Sequence, residues 1–429
     1  MAVQKVDVLV IGGGVIGACV ARELQASGRQ VTLIEKGQVG QGSSFANAGW
    51  LTPCFAMPLP QPGMFWKSVG WLLDSQSPLY IHPDMNPTLF RWMLQFLKAM
   101  NRKQMLESIK VLTAISTYSL DFYKELAGRT KTPIGFENRG LLMVSATKDG
   151  LDHANLEMQL MAEQGVAGRS LSQEELLKFE PALKPLVRGG VFFPDEAQAD
   201  PFLTTVAIND EFVALGGTSL TNTEAFDFII EDGRVKRVIT TRGEYEAELV
   251  VLASGAWSNE IADKLKLSIP ILGGKGYSMS VDMTENKPSH PIMIVERKIA
   301  VTPFSKHVRL AGTLELVDQD FSISPNRVRA IRRGAQEYLR FDAEAEAKFG
   351  KGPQDLSDVR DIWRGLRPCT PDGVPVIGPS TKISNLFYCA GHQLLGFQSA
   401  PGSGKLAADL ILGRTPVTDP HPFRADRFE

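Results

Sequence analysis

Residues 6–11 read Val-Asp-Val-Leu-Val-Ile, a largely apolar, β-branched run of the length of a buried parallel strand. They lead directly into Gly12-Gly13-Gly14-Val15-Ile16-Gly17, and this junction constrains the fold more than anything else in the chain. A helical pattern over 18–27 follows, with Gly28 placed to cap it, then a second strand over 30–34 that ends at Glu35. Gly12 permits a tight turn, Gly14 lets backbone approach a pyrophosphate, and Gly17 lets helix and strand pack closely. The helix start, with Val15 and Ile16, offers free N–H groups and a positive dipole end to phosphates. Glu35 is placed to accept hydrogen bonds from ribose hydroxyls. A glycine triplet alone is common, but strand, turn, helix, strand and acid in this order read as a dinucleotide site. The unit serves FAD and NAD alike.

At 429 residues the chain is too long for one core and is expected to form two domains. A formal net charge of -2 gives no basic excess for nucleic acid. Cys19, Cys54, Cys369 and Cys389 are scattered, which argues against a disulfide framework or a zinc site and fits a reducing compartment. No H-E-x-x-H occurs among the six histidines, so no metal is expected. The N-terminus enters the first strand without a signal-peptide pattern, and no apolar run reaches the length of about eighteen residues that spans a membrane. A cytoplasmic protein is the expectation. Gly402-Ser403-Gly404-Lys405 superficially resembles a P-loop, but Ser399 and Leu406 stand where that motif needs Gly and Ser or Thr.

Periodicity predicts helices over 89–105, 111–126, 156–164 and 200–215, and a hairpin over 226–238 around Glu231-Asp232-Gly233. A second buried-strand run over 247–253 ends at Ser254-Gly255-Ala256-Trp257. Strands are expected over 136–144, 277–281, 299–302, 308–311 and 386–390, a charged helix pair over 325–349, and a closing helix over 399–412. The fold class is α/β with an α+β second domain. A Rossmann-like nucleotide domain assembled from 1–50, 198–270 and 360–429 would carry a mixed-sheet substrate domain of 51–197 and 271–359.

Several further blocks keep one order. They are Ser44-Phe45-Ala46-Asn47-Ala48-Gly49 with Thr52-Pro53, Lys275-Gly276-Tyr277-Ser278, Gly365-Leu366-Arg367-Pro368, Thr370-Pro371-Asp372-Gly373, Gly391-His392 with Leu395-Gly396, and Gly402-Ser403-Gly404. In these the chain resembles, from residue 6 to about 413, the D-amino-acid dehydrogenase (small subunit) family of the D-amino-acid oxidase-like flavoproteins. The resemblance implies FAD rather than NAD. It also implies non-covalent binding, because relatives with covalent flavin carry a cysteine five residues before the Thr-Pro-Asp block, where this chain has Gly365. Beyond the first unit, the implied cofactor contacts are Lys36, Ser43, Ser44, Asn47, Ala48, Gly49, Trp50, Leu51, Ala225, Ser254, Gly255, Trp257, Gly365 and the loop Gly391, His392, Leu395, Gly396 and Phe397. The helix N-terminus after that loop would stabilise negative charge at the N1–C2=O edge of the reduced ring; the plainer alternative is an ordinary strand–helix turn.

The implied reaction is oxidation of an amino acid, a D-amino acid or D-proline derivative, by hydride transfer from Cα to flavin N5. The imino acid then hydrolyses to a keto acid and ammonia. A flavin oxidase of secondary amines of the sarcosine, glycine or proline type is the nearest alternative, and a protein that holds FAD without turnover the distant one. Some relatives bind the substrate carboxylate through an arginine just after the proline matched by Pro303; Phe304 stands there, leaving Arg367 and Arg309 as candidate cations. Tyr277 is a candidate hydrogen-bond partner of the carboxylate or amine, and His392 a candidate acceptor of the amine proton. Plainer readings stand beside them: Arg367 paired with Asp372, Arg309 in a surface salt bridge, Tyr277 as a strand aromatic, His392 bonded to backbone, and Lys275 as structural.

The reducing equivalents would pass to a quinone or an electron-transfer partner. Arg91, Gln95, Lys98 and Arg102 form a polar stripe on the helix expected over 89–105, opposite Phe90, Trp92, Met93, Leu94, Phe96, Leu97 and Met100. Met64, Phe65, Trp66, Val69, Trp71, Leu72 and Leu73 around Lys67 add apolar surface. Residues 64–105 therefore read either as core packing or as peripheral contact with the inner face of the cytoplasmic membrane.

Overall fold

β1 (Gln4–Ile11) passes from exposed to fully buried along its length, and α1 (Val15–Ala26) carries the chain back to β2 (Val31–Ile34). The two strands are parallel, Val8 opposite Val31 and Ile11 opposite Ile34, so the N-terminal unit forms as expected. Gly28 turns the chain after the helix with φ at 91°, the left-handed region glycine favours. These features come from a computed structural model that describes residues 3–62, 79–81, 87–317, 319–343, 346 and 359–428.

α2 (Pro87–Ala99) and α3 (Arg102–Arg129) differ from the helices expected over 89–105 and 111–126. Asn101 is extended, with φ −125° and ψ 150°, and its side chain accepts the Gln104 N–H at 2.9 Å. Such an N-cap ends one helix and starts another, because it satisfies a donor that the first turn leaves free. The stripe from Arg91 to Arg102 is accordingly divided between two helices. The apolar face is divided as well. Trp92 is buried, donates its indole N–H to the Cys369 carbonyl at 3.0 Å, stacks on Phe96 and clusters with Leu272, Leu314 and Leu316, whereas Phe90, Leu94 and Leu97 are exposed. Residues 64–73 lie outside the described residues.

β3 (Gly243–Leu252) lies parallel to β1 on its other side, with Ile11 opposite Leu252. The hairpin of Ala225–Glu231 and Arg234–Thr240 turns at Asp232 and Gly233, both with positive φ, and extends the sheet from the first part of β3. A second sheet follows. β4 (Leu272–Val281), β5 (Ile299–Pro303), β6 (Val308–Val317) and β7 (Val359–Cys369) are antiparallel neighbours in the order β7-β4-β6-β5. One face of this sheet is covered by α4 (Pro325–Tyr338), whose Val328 and Ile331 share a core with Tyr277, Met279 and Val281. β7 places 359–369 in the second sheet, although the first domain was expected to include residues from 360 onward.

β8 (Leu386–Ala390) then returns to the first sheet, parallel to the end of β3 with Val250 opposite Leu386. α5 (Gly396–Ile411) packs between α1 and α3. Glycines make this close approach: a Cβ on Gly404 would lie 2.9 Å from Cys19, and one on Gly402 2.2 Å from the Ile115 carbonyl oxygen. The glycine cluster that superficially resembles a P-loop is thus a helix-packing surface. Among the described residues the two sheets have eight and nine strands.

Candidate active site

β1, β2, β3 and β8 run in one direction, so the turns after Ile11, Ile34, Leu252 and Ala390 gather at a single sheet edge. That edge is where parallel α/β sheets bind nucleotides. Gly12 has φ at 115°, and a Cβ there would meet the Ala253 carbonyl oxygen at 2.5 Å; a Cβ on Gly17 would stand 1.9 Å from the Gly12 carbonyl oxygen. Gly14 has only the Ser44 hydroxyl, at 3.4 Å, near its notional Cβ, so its open side faces away from the protein. The three glycines thereby divide into two that pack backbone on backbone and one that leaves room for a ligand. Ser44 Oγ accepts the Val15 N–H at 3.0 Å, while Ile16 is half-buried beside the same turn. Glu35 accepts the Gly13 and Gly37 N–H groups at 2.7 and 2.8 Å, one on each carboxylate oxygen, leaving lone pairs for hydroxyl donors. Donors, dipole and acid fit the ADP half of FAD.

Other residues expected on the cofactor side lie near this edge. Lys36 lies 3.9 Å over the Trp257 ring, and Trp257 follows Ser254 and Gly255 at the end of β3. Trp257 in turn stacks on Phe321, reaching the second sheet's side of the molecule. Ala225 is buried at the start of its hairpin strand.

Residues 43–51 cross from one sheet to the other. Ser43 donates to the Leu366 carbonyl at 2.5 Å. Asn47 closes the loop on itself, donating to the Ser43 carbonyl and accepting the Gly49 N–H at 2.9 Å. Gly49 has φ at 72°, and a Cβ there would stand 2.4 Å from the Ala199 carbonyl oxygen. Thr302 donates to the Ala48 carbonyl and accepts the Trp50 indole N–H; Leu51, like Trp50, is buried and pairs with Ala197. Ser278 donates to the Ala46 carbonyl at 2.7 Å. One face of the second sheet therefore lies against this segment.

Successive side chains of a strand point to opposite faces. Ser278 fixes which face of β4 meets residues 43–50, so Tyr277 and Lys275 lie on the other. Tyr277 is packed under α4, and its hydroxyl accepts the Ser324 N–H at 3.3 Å. Burial and the neighbouring Glu315 push its pKa up. The structure thus places Tyr277 among the core side chains beneath α4, in keeping with the plainer reading of a strand aromatic. Lys275, 2% exposed, bonds Asp320 at 2.5 Å and sits 3.9 Å from Glu315, in keeping with a structural role.

Arg367 and Arg309 lie on the sheet face that meets residues 43–50, but β4 separates them. Arg367 pairs with Gly274 and Arg309 with Ser280, six residues on and about 20 Å away along the strand. Asp372, the plainer partner for Arg367, is instead held by Arg427 at 2.7 Å. Arg367 donates through Nη1 to the Thr313 carbonyl at 2.9 Å and, among the described residues, forms no ion pair with a carboxylate. Arg309 is buried, donates to the Asn47 carbonyl at 3.0 Å and lies 4.6 Å over the Phe304 ring, which accounts for an arginine on this strand without a surface salt bridge. Burial lowers the pKa of both.

His392 bridges Cys369 in the loop after β8, and its Nε2 lies 3.1 Å from Ser403 Oγ on α5. Burial takes its pKa down to about 3, so the ring is neutral. Gly391 has φ at 85°, and Leu395, Gly396 and Phe397 form the start of α5. Gly365, on β7 beside Gly276, leaves space that the Trp363 ring fills at 2.2 Å from its notional Cβ. Of the two residues that fasten the 43–50 segment, Thr302 had no sequence signal beyond strand position, while Ser278 stood at the end of the Lys275-Gly276-Tyr277-Ser278 block. Among the described residues no helix is long and apolar enough to cross a membrane.

Comparison with known proteins agrees with this geometry. Residues 7–410 match the family described as FAD dependent oxidoreductase. A D-amino acid dehydrogenase of Bradyrhizobium diazoefficiens is 32% identical over 428 residues, 98% of both chains, and one of Agrobacterium fabrum is 31% identical over 430 residues, 98% of this chain and 99% of the relative. Among solved structures, glycine oxidase from Geobacillus kaustophilus is 24% identical with a TM-score of 0.75 over 98% of both chains. L-proline dehydrogenase from P. horikoshii is 21% identical with a TM-score of 0.75 over the whole of both.

Proposed function

The chain belongs to the FAD dependent oxidoreductase family, and on that footing we propose that it oxidises a D-amino acid at Cα, giving an imino acid that water converts to a keto acid and ammonia. The observation that carries the substrate assignment is Arg367: a guanidinium on the sheet face that meets residues 43–50, held by one backbone carbonyl and, among the described residues, by no carboxylate. A half-buried cation lacking a counter-ion is costly, and a substrate carboxylate would relieve that cost through a charge-assisted pair. Arg309 acts instead on the cofactor side, clamping the carbonyl of Asn47. Bound FAD supplies the two-electron acceptor for the Cα hydrogen.

The chain's own groups bind and orient. Gly12, Gly14, Gly17 and Glu35 take the ADP half; the 43–51 segment and the 391–397 loop flank the ring. His392, neutral and bonded to Ser403, holds the loop at the start of α5 and carries no charge to compete with the substrate amine. The electron acceptor is a quinone or an electron-transfer protein, and exposed Phe90, Leu94 and Leu97 beside Arg91 and Lys98 support contact with an anionic membrane surface. Arg367→Ala tests the assignment through steady-state kinetics. A rise in KM for a D-amino acid of about a hundredfold, with FAD content unchanged, supports the carboxylate role. An unchanged KM removes it.

A further inference from the structure

The sixth residue of α5 is a proline, Pro401. Proline has no N–H, so the Phe397 carbonyl, four residues earlier, lacks its helical donor. Tyr123 of α3 takes that place. Its hydroxyl donates to the Phe397 carbonyl at 2.6 Å, and the side chain is fully buried with its ring 5.2 Å from the Phe397 ring. One turn back along α3, Ser119 Oγ accepts the Gly402 N–H at 2.9 Å and donates to the Ile115 carbonyl at 2.6 Å. Ser116 Oγ accepts from Gln398 at 3.4 Å. Three α3 residues on one face thus hold the first two turns of α5, Tyr123 and Ser116 at Phe397 and Gln398 before the proline and Ser119 at Gly402 just after it. Gly402 makes the approach possible, since a Cβ there would collide with Ile115.

A proline inside a helix bends it away from the carbonyl it cannot serve. The first turn of α5, with its free N–H groups, can then be aimed separately from the rest of the helix. It follows the loop at the sheet edge where the parallel strands end, which is the edge that takes the dinucleotide. We propose that Tyr123, assisted by Ser119, is a positioning residue for the bound flavin: its hydroxyl fixes the direction of the α5 first turn and thereby the positive dipole end presented to the reduced ring. The inference rests on the FAD reading. A fully buried hydroxyl on the neighbouring helix α3 is thus paired with the one carbonyl of α5 that Pro401 deprives of its donor.

The test measures the midpoint potential of bound FAD by dye-coupled anaerobic titration of the holoenzyme, in wild type, Tyr123→Phe and Tyr123→Phe/Pro401→Ala. Removing the hydroxyl lowers the potential, with a loss of roughly five- to tenfold in the preference for reduced over oxidised FAD. Pro401→Ala returns an N–H to the helix, pairs the Phe397 carbonyl again and restores the potential. Where Tyr123→Phe retains no flavin, recovery of FAD binding by the double variant is the expected result. A potential unchanged in Tyr123→Phe, or a defect that Pro401→Ala leaves in place, overturns the proposal. Reduction of wild-type FAD by a D-amino acid in the same cuvette is scored separately, so failure of the substrate assignment cannot be mistaken for failure of this one.

Discussion

A Cβ atom on Gly276 would stand 1.9 Å from Nη1 of Arg367. The guanidinium lies across β4 over Gly276, two residues along from its strand partner Gly274. Glycine is therefore required at 276 for room, not for backbone conformation. Gly276→Ala should displace Arg367 without disturbing the ladder, lowering kcat/KM for the amino acid by about ten- to a hundredfold, chiefly through KM. Kinetics beside FAD content and Tm check this. A variant with ordinary KM would show that Arg367 does not work from this position.

Arg309 should behave differently. Its guanidinium donates to the Asn47 carbonyl in the segment that crosses between the sheets. Arg309→Met keeps much of the stem and removes the donor. We expect FAD to dissociate about tenfold more readily, with KM for the amino acid changed far less than in Arg367→Ala. Fluorescence of released FAD on dilution reads the first quantity. The reverse pattern would exchange the two arginines' roles.

The N-terminal unit was legible because each step is local: a buried strand, a turn that only glycine permits, a helix, and an acid at the next strand end. The hairpin at Asp232-Gly233 was legible for the same reason. The break between α2 and α3 was not, because Asn101 acts as a cap only in the extended conformation that packing gives it. Arg367 and Arg309 could be picked by charge, yet their separation depends on strand register, which no single sequence displays. The face that Tyr277 occupies was hidden for the same reason: one residue's shift along β4 exchanges the side that meets residues 43–50 for the core beneath α4. Pro401 was visible, but nothing in the order of residues connects it with Tyr123.

Glu196 gives a pH-dependent expectation. It is 1% exposed, accepts the Cys54 N–H at 2.9 Å, and burial raises its pKa to about 8 from an ordinary 4.5. The folded state therefore holds a proton that the unfolded state has released. Its contribution is fully present below about pH 4.5 and is lost as pH rises towards 8, by roughly 1.4 kcal/mol per unit at most. Glu196→Gln keeps an acceptor without the charge, so its Tm should gain on wild type steadily from pH 5 to 8. Parallel Tm curves would place the proton elsewhere.

The exposed stripe of α2 yields a separate test. Phe90, Leu94 and Leu97 are 67, 52 and 38% exposed, whereas Trp92 is 1% exposed and belongs to the core. Wild type should sediment with anionic liposomes at low salt, and Phe90→Glu/Leu94→Glu should remain in the supernatant with Tm nearly unchanged. Equal recovery of both in the supernatant would remove membrane contact from the account.

Anaerobic reduction of the bound FAD tests the central claim most directly. The purified protein is mixed with the two enantiomers of each of several amino acids, proline and hydroxyproline included, and the oxidised flavin band is followed. The expected result is bleaching by a D-amino acid well ahead of its L-enantiomer, with the keto acid and ammonia formed when an artificial acceptor is added. Preference for the L-enantiomers, or a flavin band that no amino acid bleaches, would contradict the account.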